Sequence, residues 1–316
     1  TTDKEGKATG VSYVSKEDGL DYHVKGKIVI LAASACESGR LMMNSKSSVH
    51  ANGLSNSSGI LGHYITDSTG ASRSALIPAL LDGIPHNEDG VGGLHVYTPW
   101  WLDNKKLDFA RGYHIEIWGG RDMPGYGYMS GIENLNKHLK LPDGKTRPSG
   151  GGYGAQLKQD ARTLYGATVG FSGRGESIAR YDNYCEIDPN VVDKWGIPVL
   201  RFNYTWSDHE IKQVKHMQDT FEEILTTMGG IFTGPKPGPE SNYGIAAPGR
   251  IIHEVGATRM GNDPKSSVLN AYCQAHEAKN VFVCDGGPFV SQADKNPTWT
   301  ILALSWRTCD YIIDQM

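Results

Sequence analysis

The stretch Asn280–Gly287, NVFVCDGG, constrains this chain most. A short apolar run ends in Asp285, Gly286 and Gly287. A polar loop follows, then Asn296 and Pro297, then an apolar-striped stretch to the C-terminus. A short apolar run bounded by turn residues reads as a buried strand, and proline is favoured in the first turn of a helix. A buried strand that runs through glycines toward a helix belongs to an open α/β sheet, where ligands lie beyond the carboxyl ends of the strands. The same texture occurs near the start. KIVILAASA reads as a buried strand from Lys27, and CESGRLMMNSKS as a short helix after it. The loop HANGLSNSSGILGHYITDSTGAS is rich in small residues, as backbone that lies against a ligand requires.

The middle of the chain has a different pattern. YHIEIWGG, Tyr113–Gly120, alternates strictly, with Ile115 and Ile117 on one face and His114, Glu116 and Trp118 on the other. IPVLRFNYTW reads as a further strand. SDHEIKQVKHMQDTFEEILTTMGG predicts a helix with Ser207 or Asp208 at its N-cap. Its apolar stripe is Ile211, Val214, Met217, Phe221 and Leu225, and Gly229 ends it. KPGPESNYGIAAPGR is a Pro/Gly-rich crossing back to the first texture. Residues 1–73 and 246–316 are therefore expected to form one α/β domain, with 74–245 inserted between them. The start, ATGVSYV and DYHVKGK around the turn SKEDG, predicts a hairpin followed by a strand with no helix before it to pack on. Together with Thr1 in place of Met, this leads us to expect a preceding N-terminal portion.

Composition narrows the function. The net charge is -4 over 316 residues, with no Lys/Arg-rich run, so nothing favours nucleic acid as a partner. No apolar stretch has the length of a membrane span. The five cysteines form no C-x-x-C pair, so neither a disulfide framework nor a metal cluster is expected. The 39 dispersed glycines suit a loop-rich enzyme.

Two local patterns carry chemistry. In IIHEVGATRMGNDP, His253 precedes a glycine turn; alone, a histidine beside isoleucines reads as structural. Asn296 before Pro297 reads, alone, as an ordinary N-cap. The helix after it has Ile301, Leu304, Trp306 or Thr308, Tyr311 and Ile312 at buried spacing. GYGYMSG and PSGGGYGA read as loops, because neither runs from a strand into a helix.

Taken together, ILAASACESGRLMMNS, GLSNSSGILGHYITD, ARYDNYCEIDPNVVDKWGIPVLRF, HEVGATRMGNDPKSSVLN and NVFVCDGGPFVSQADKNPTWTILALSWRTCDYI resemble the C-terminal part of the glucose–methanol–choline (GMC) oxidoreductases. The likeness is greatest to pyranose 2-oxidase and to the large subunits of bacterial gluconate, glucose and glucoside dehydrogenases. The resemblance implies the C-terminal portion of a Rossmann-like FAD-binding domain, carried by 1–73 and 246–316. It implies an inserted α+β substrate domain built on an antiparallel sheet. It makes His253 and Asn296 the catalytic pair. It places Ala32, Ala33, Ser34, Asn56, Ser57, Ser58, Asp285, Gly286, Pro297 and Thr298 against FAD. His114, Glu116 and Trp118 become candidates for binding a sugar or glycoside, against the alternative of one solvated strand face.

The implied reaction is oxidation of a ring hydroxyl at C3 or C2. A neutral imidazole suits removal of the hydroxyl proton. The implied partners are the N-terminal FAD-binding portion and, as in related bacterial enzymes, a small subunit and a haem electron acceptor. An oxygen-using pyranose oxidase and a carbohydrate-binding relative without activity are the alternatives. Arg259 reads as structural. The sequence departs from the family in three places: Ala257 stands where the family has threonine, Ser68 follows Asp67 where many relatives have histidine, and the G-x-G-x-x-G fingerprint is absent.

Overall fold

The computed structural model describes residues 1–84, 96–98, 106–121, 154–155, 158, 166–232 and 234–315. GYGYMSG and most of PSGGGYGA lie outside them. The chain falls into two compact units. The first is Thr1–Ser68, Glu176–Trp206 and Ala247–Met316; the second is Thr69–Gly175 and Ser207–Ala246. Each unit is made of separate stretches of the chain. Residues 176–206, expected in the middle segment, lie with the first unit. Backbone hydrogen bonds place them there, from Ile65 to Asn183 O (3.0 Å) and from Cys185 to Gly62 O (2.9 Å).

In the first unit, β1 (Gly10–Val14) and β2 (Asp21–Lys25) form the expected antiparallel hairpin. Strand β3 (Val29–Leu31) leads into helix α1 (Ala35–Asn44). Only three residues of KIVILAASA are strand, and Ile30 is 49% exposed, so the expected burial of this segment is not met. The cause is the sheet: β3 pairs in parallel with β11 (Val281–Val283) and forms a two-stranded sheet with it. Strand β11 itself is wholly buried. Asn280 joins these pieces, exchanging hydrogen bonds with both backbone groups of Ala8 and donating to Lys27 O (2.8 Å). Strands β8 (Tyr184–Val192) and β9 (Pro198–Asn203) form a hairpin. Arg40 of α1 is tied to it through Asp193 at 2.8 Å. Met42, Leu61, Ile65, Cys185, Leu269 and Val283 share the core.

The C-terminal helix, α3 (Thr298–Gln315), begins one residue after Pro297, whose carbonyl accepts the first helical bond from Ile301 at 3.0 Å. Pro297 therefore occupies the N-cap position, and Asn296 precedes it. Of the alternatives offered by the stripe, Thr308 is the buried one; its hydroxyl donates to Leu304 O and Tyr272 O. Tyr311 stacks on Tyr272 at 4.2 Å. Trp299, Leu302, Trp306 and Ile313 lie on the exposed side.

The second unit is a five-stranded antiparallel sheet in the order β10-β4-β7-β6-β5, made of Ile231–Phe232, Thr69–Leu76, Ala167–Gly175, Tyr113–Arg121 and Val96–Thr98. Helix α2 (Asp208–Thr227) covers one face. Alternation puts Ala71, Ala75, Tyr113, Ile115 and Phe171 toward it, against Val214, Met217, Phe221 and Leu225. Gly173 lets the helix approach, since a Cβ there would meet Met217 Sδ at 2.5 Å. The Glu210 carboxylate accepts from both the backbone N–H (2.8 Å) and the hydroxyl of Ser207, fixing the helix start. Gly229, at φ 72°, follows its end.

Candidate functional site

Asp285 closes β11 at the level where β3 ends. Its carboxylate accepts from Ser38 Oγ of α1 at 2.5 Å and from Gly287 N at 2.7 Å. The amides of Ala33 and Ser34 add to these. Burial pushes the Asp285 carboxyl above its ordinary value, and these donors oppose the shift. Ser34 turns the chain from β3 into α1 at φ 85°. Ala32, Ala33 and Ser34 are exposed, and among the described residues no side chain caps α1. The strand-end residues expected to touch a ligand are thus brought together, with Asp285 already bonded within the protein.

Gly286 and Gly287 have a packing reason for being small. The segment after His253 runs alongside them, bonding Gly256 N to Gly286 O and Thr258 N to Gly287 O. A Cβ on Gly287 would lie 2.2 Å from Thr258 Oγ1, and one on Gly286 would lie 3.1 Å from Val255 Cγ1. The glycines therefore join the His253 segment to the end of β11.

His253 sits on this joined frame. Its backbone N–H donates to Asp67 Oδ1 at 3.1 Å, and its Nδ1 meets Ser68 Oγ at 3.3 Å. Asp67 is buried and also accepts from Ser68 N and Gly249 N. Burial raises its pKa, against these hydrogen bonds. The backbone on either side of His253 is strained: Ile252 has φ 62° and Ala257 φ 68°. A β-branched residue rarely adopts that conformation, and strain of this kind concentrates at functional sites. Ala257 is fully buried. Gln292, also fully buried, donates to Ser68 Oγ at 3.1 Å. Arg259 places its guanidinium over the Tyr64 ring at 4.2 Å, a packing role. A cavity of about 460 Å³ opens beside this cluster, lined by Ser34, Cys36, Asp67, Tyr204, Gly249 and Glu254 among others. Burial pushes the Cys36 thiol up to about 12 and raises Glu254, so Cys36 is a neutral thiol here.

Asn296 is exposed, and among the described residues no hydrogen bond joins it to His253. Asn56 spends its carboxamide on its own loop, donating to Asn52 O (2.9 Å) and accepting from Leu61 N (3.1 Å). Ser57 is anchored to Glu277 through its backbone N–H (3.1 Å) and its hydroxyl. Ser58 accepts from Ile60 N. These three shape the loop.

In the second unit, His114, Glu116 and Trp118 do share a face of β6. His114 Nε2 is 3.5 Å from Glu116 Oε1, and Arg174 approaches Glu116 at 3.6 Å. His114 and Glu116 are buried, so a solvated face describes only the Trp118 end. Trp118 is 45% exposed and lies over Gly170, where a Cβ would be 2.0 Å from its ring. The sequence did not single out Gln292. Nothing in a polar loop marks it; its partner Ser68 lies 224 positions away.

Residues 180–305 match the family model described as GMC oxidoreductase. The chain is 25% identical to 2-methyl-1,2-propanediol dehydrogenase of Mycolicibacterium austroafricanum over 98% of its own length and 52% of the relative's. It is 26% identical to the gluconate 2-dehydrogenase flavoprotein of Pantoea cypripedii, over 100% and 48%. It is 22% identical to the fructose dehydrogenase large subunit of Gluconobacter japonicus, over 100% and 52%. The chain thus spans about half the length of the curated relatives it matches. The structure of a formate oxidase from Aspergillus oryzae, studied for FAD modification, superposes with a TM-score of 0.63 at 12% identity, covering 97% of this chain and 57% of that one. That likeness is one of fold. Residues 180–305 are accordingly a GMC oxidoreductase C-terminal domain, and the chain is homologous along nearly its whole length to members of that family.

Proposed function

We propose that this chain is the catalytic half of an FAD-dependent dehydrogenase that oxidises a hydroxyl of a sugar or related polyol. A ring carbon, C3 or C2, is the preferred position. The observation that carries the reading is His253, held through its backbone by Asp67 and through Nδ1 by Ser68, on a segment bonded to the strand-end glycines.

Ala32–Ser34, Asp285 and the start of α1 surround the strand ends where a dinucleotide lies in open α/β sheets. The acceptors beside the cavity, Asp67 and Glu254, suit hydroxyl groups better than phosphate oxygens. The residues present therefore fit the polyol part of FAD, and we assign the grip on its diphosphate to the partner half. The chain alone is expected to hold FAD weakly. When bound, FAD supplies the hydride acceptor. His253 takes the hydroxyl proton at Nε2. Asn296, not spent on capping, is available to orient the same hydroxyl. Pro297 and Thr298 begin a helix whose first N–H groups favour negative charge at that end. On β6, half-exposed Trp118 offers a stacking face for a sugar ring, while His114 and Glu116 are buried on the same strand face. The diol, gluconate and fructose dehydrogenases among the relatives support an alcohol or sugar substrate. The name large subunit in one of them supports a smaller partner subunit, and a haem protein is the proposed electron acceptor.

The test uses full-length protein with a panel of sugars and diols, an artificial electron acceptor and a peroxide assay. Turnover without peroxide is expected. Peroxide formation would favour an oxidase, and sugar binding without turnover a binding protein.

A further inference from the structure

Behind His253 lies a buried, neutral relay. Ser68 Oγ is 3.3 Å from His253 Nδ1, and the Gln292 carboxamide is 3.1 Å from Ser68 Oγ. Ser68 and Gln292 are each 0% exposed. Among the described residues, Gln292 Oε1 has no hydrogen-bond partner. A buried carbonyl left without a donor is costly and calls for a reason. A hydroxyl carries one proton and accepts through its lone pairs, whereas a carboxamide presents a donor at one end and an acceptor at the other.

We propose that Ser68 and Gln292 are positioning residues for His253, with the orientation of the Gln292 carboxamide deciding which imidazole nitrogen carries the proton. This rests on the reading of His253 as the base. With Nε2 of Gln292 toward Ser68, the serine hydroxyl donates to His253 Nδ1, and the neutral imidazole carries its proton on Nε2. With the carboxamide turned over, Oε1 accepts from the Ser68 hydroxyl. The serine oxygen then accepts from His253 Nδ1–H, and Nε2 presents its lone pair to the substrate. Only the second arrangement makes a base of Nε2. It also holds the imidazolium formed after proton transfer, because Nδ1–H keeps its acceptor. The reading of His253 as the base requires the second arrangement, with the carboxamide turned from the orientation in the structure. Among the described residues, Asp67 bonds the backbone of His253 and the Glu254 carboxylate lies near enough to interact with its charge. Neither Ser68 nor Gln292 is charged, so the relay directs the proton without placing a counter-ion under the histidine.

The test measures kcat and KM against pH in the full-length holoenzyme. Ser68→Ala is expected to lower kcat by about tenfold or more with KM little changed. Its acid limb moves to lower pH, because the imidazolium loses its acceptor. Ser68→Thr, which keeps the hydroxyl, restores both. Gln292→Glu, an acceptor when ionised, moves the acid limb to higher pH. A wild-type acid limb in all three variants, or Thr no better than Ala, overturns the proposal. Should Ser68→Ala fail to fold, histidine-selective ¹⁵N NMR of the wild-type enzyme reads the tautomer directly. A proton on Nδ1 of His253 supports the relay, and one on Nε2 in the resting oxidised enzyme overturns it. His253→Ala separates the two claims. If it retains turnover, the base reading fails. If it loses turnover while Ser68→Ala keeps the wild-type acid limb, only the relay fails.

Discussion

Gly287 illustrates how single residues hold this site. Its missing Cβ leaves room for Thr258, and the adjacent backbone bonds fasten the His253 segment to the end of β11. Gly287→Ala forces that segment away and is expected to cost about 1–3 kcal/mol of stability, read from urea unfolding. Asp285 makes a second prediction. Its raised pKa means that its contribution to stability is fully present below its unfolded value and is lost as pH rises through the folded value. Asp285→Asn should therefore flatten the fall in stability as pH rises through that window, read as urea midpoints against pH. Asp285 was legible in the sequence as a strand end beside glycines. Its partner Ser38 was not, because the two are 247 positions apart and meet only when β3 and β11 pair. Gly286 and Gly287 were legible as special, yet the reason differs: they admit another backbone segment, whether or not a cofactor lies nearby.

At the scale of elements, α2 was the clearest reading. Twenty residues of regular stripe with Ser207 in front leave little freedom, and Val214, Met217, Phe221 and Leu225 are all fully buried. Phe221→Ala should cost about 3–5 kcal/mol by opening a cavity against Phe171. Ser207→Ala should cost about 1 kcal/mol by releasing the helix start. Both are measurable as shifts in the unfolding midpoint of the second unit. Strand β3 was read too long and too buried, since apolar composition reports a capacity for burial and the available neighbours decide its extent. The alternation of β6 gave the correct face for His114, Glu116 and Trp118. It could not give the depth, because burial of His114 depends on what covers that face.

At the largest scale, the first unit exposes several large apolar side chains. Ile30 on β3 and Trp299, Leu302, Trp306 and Ile313 on α3 belong to one unit. A two-stranded parallel sheet is far from the doubly covered sheets in which parallel strands normally occur. The proposed partner half would add strands and cover this surface, so tryptophan fluorescence should shift to the blue when the two halves are produced together rather than apart. The central claim is that His253 takes the proton of an alcohol oxidised by FAD. Its most direct test is anaerobic stopped-flow bleaching of the yellow full-length protein by a sugar or diol substrate, wild type against His253→Ala. The account predicts rapid bleaching in the wild type and a loss of about 10²–10⁴-fold in the variant with its flavin spectrum intact. Equal bleaching rates in the two proteins would contradict it.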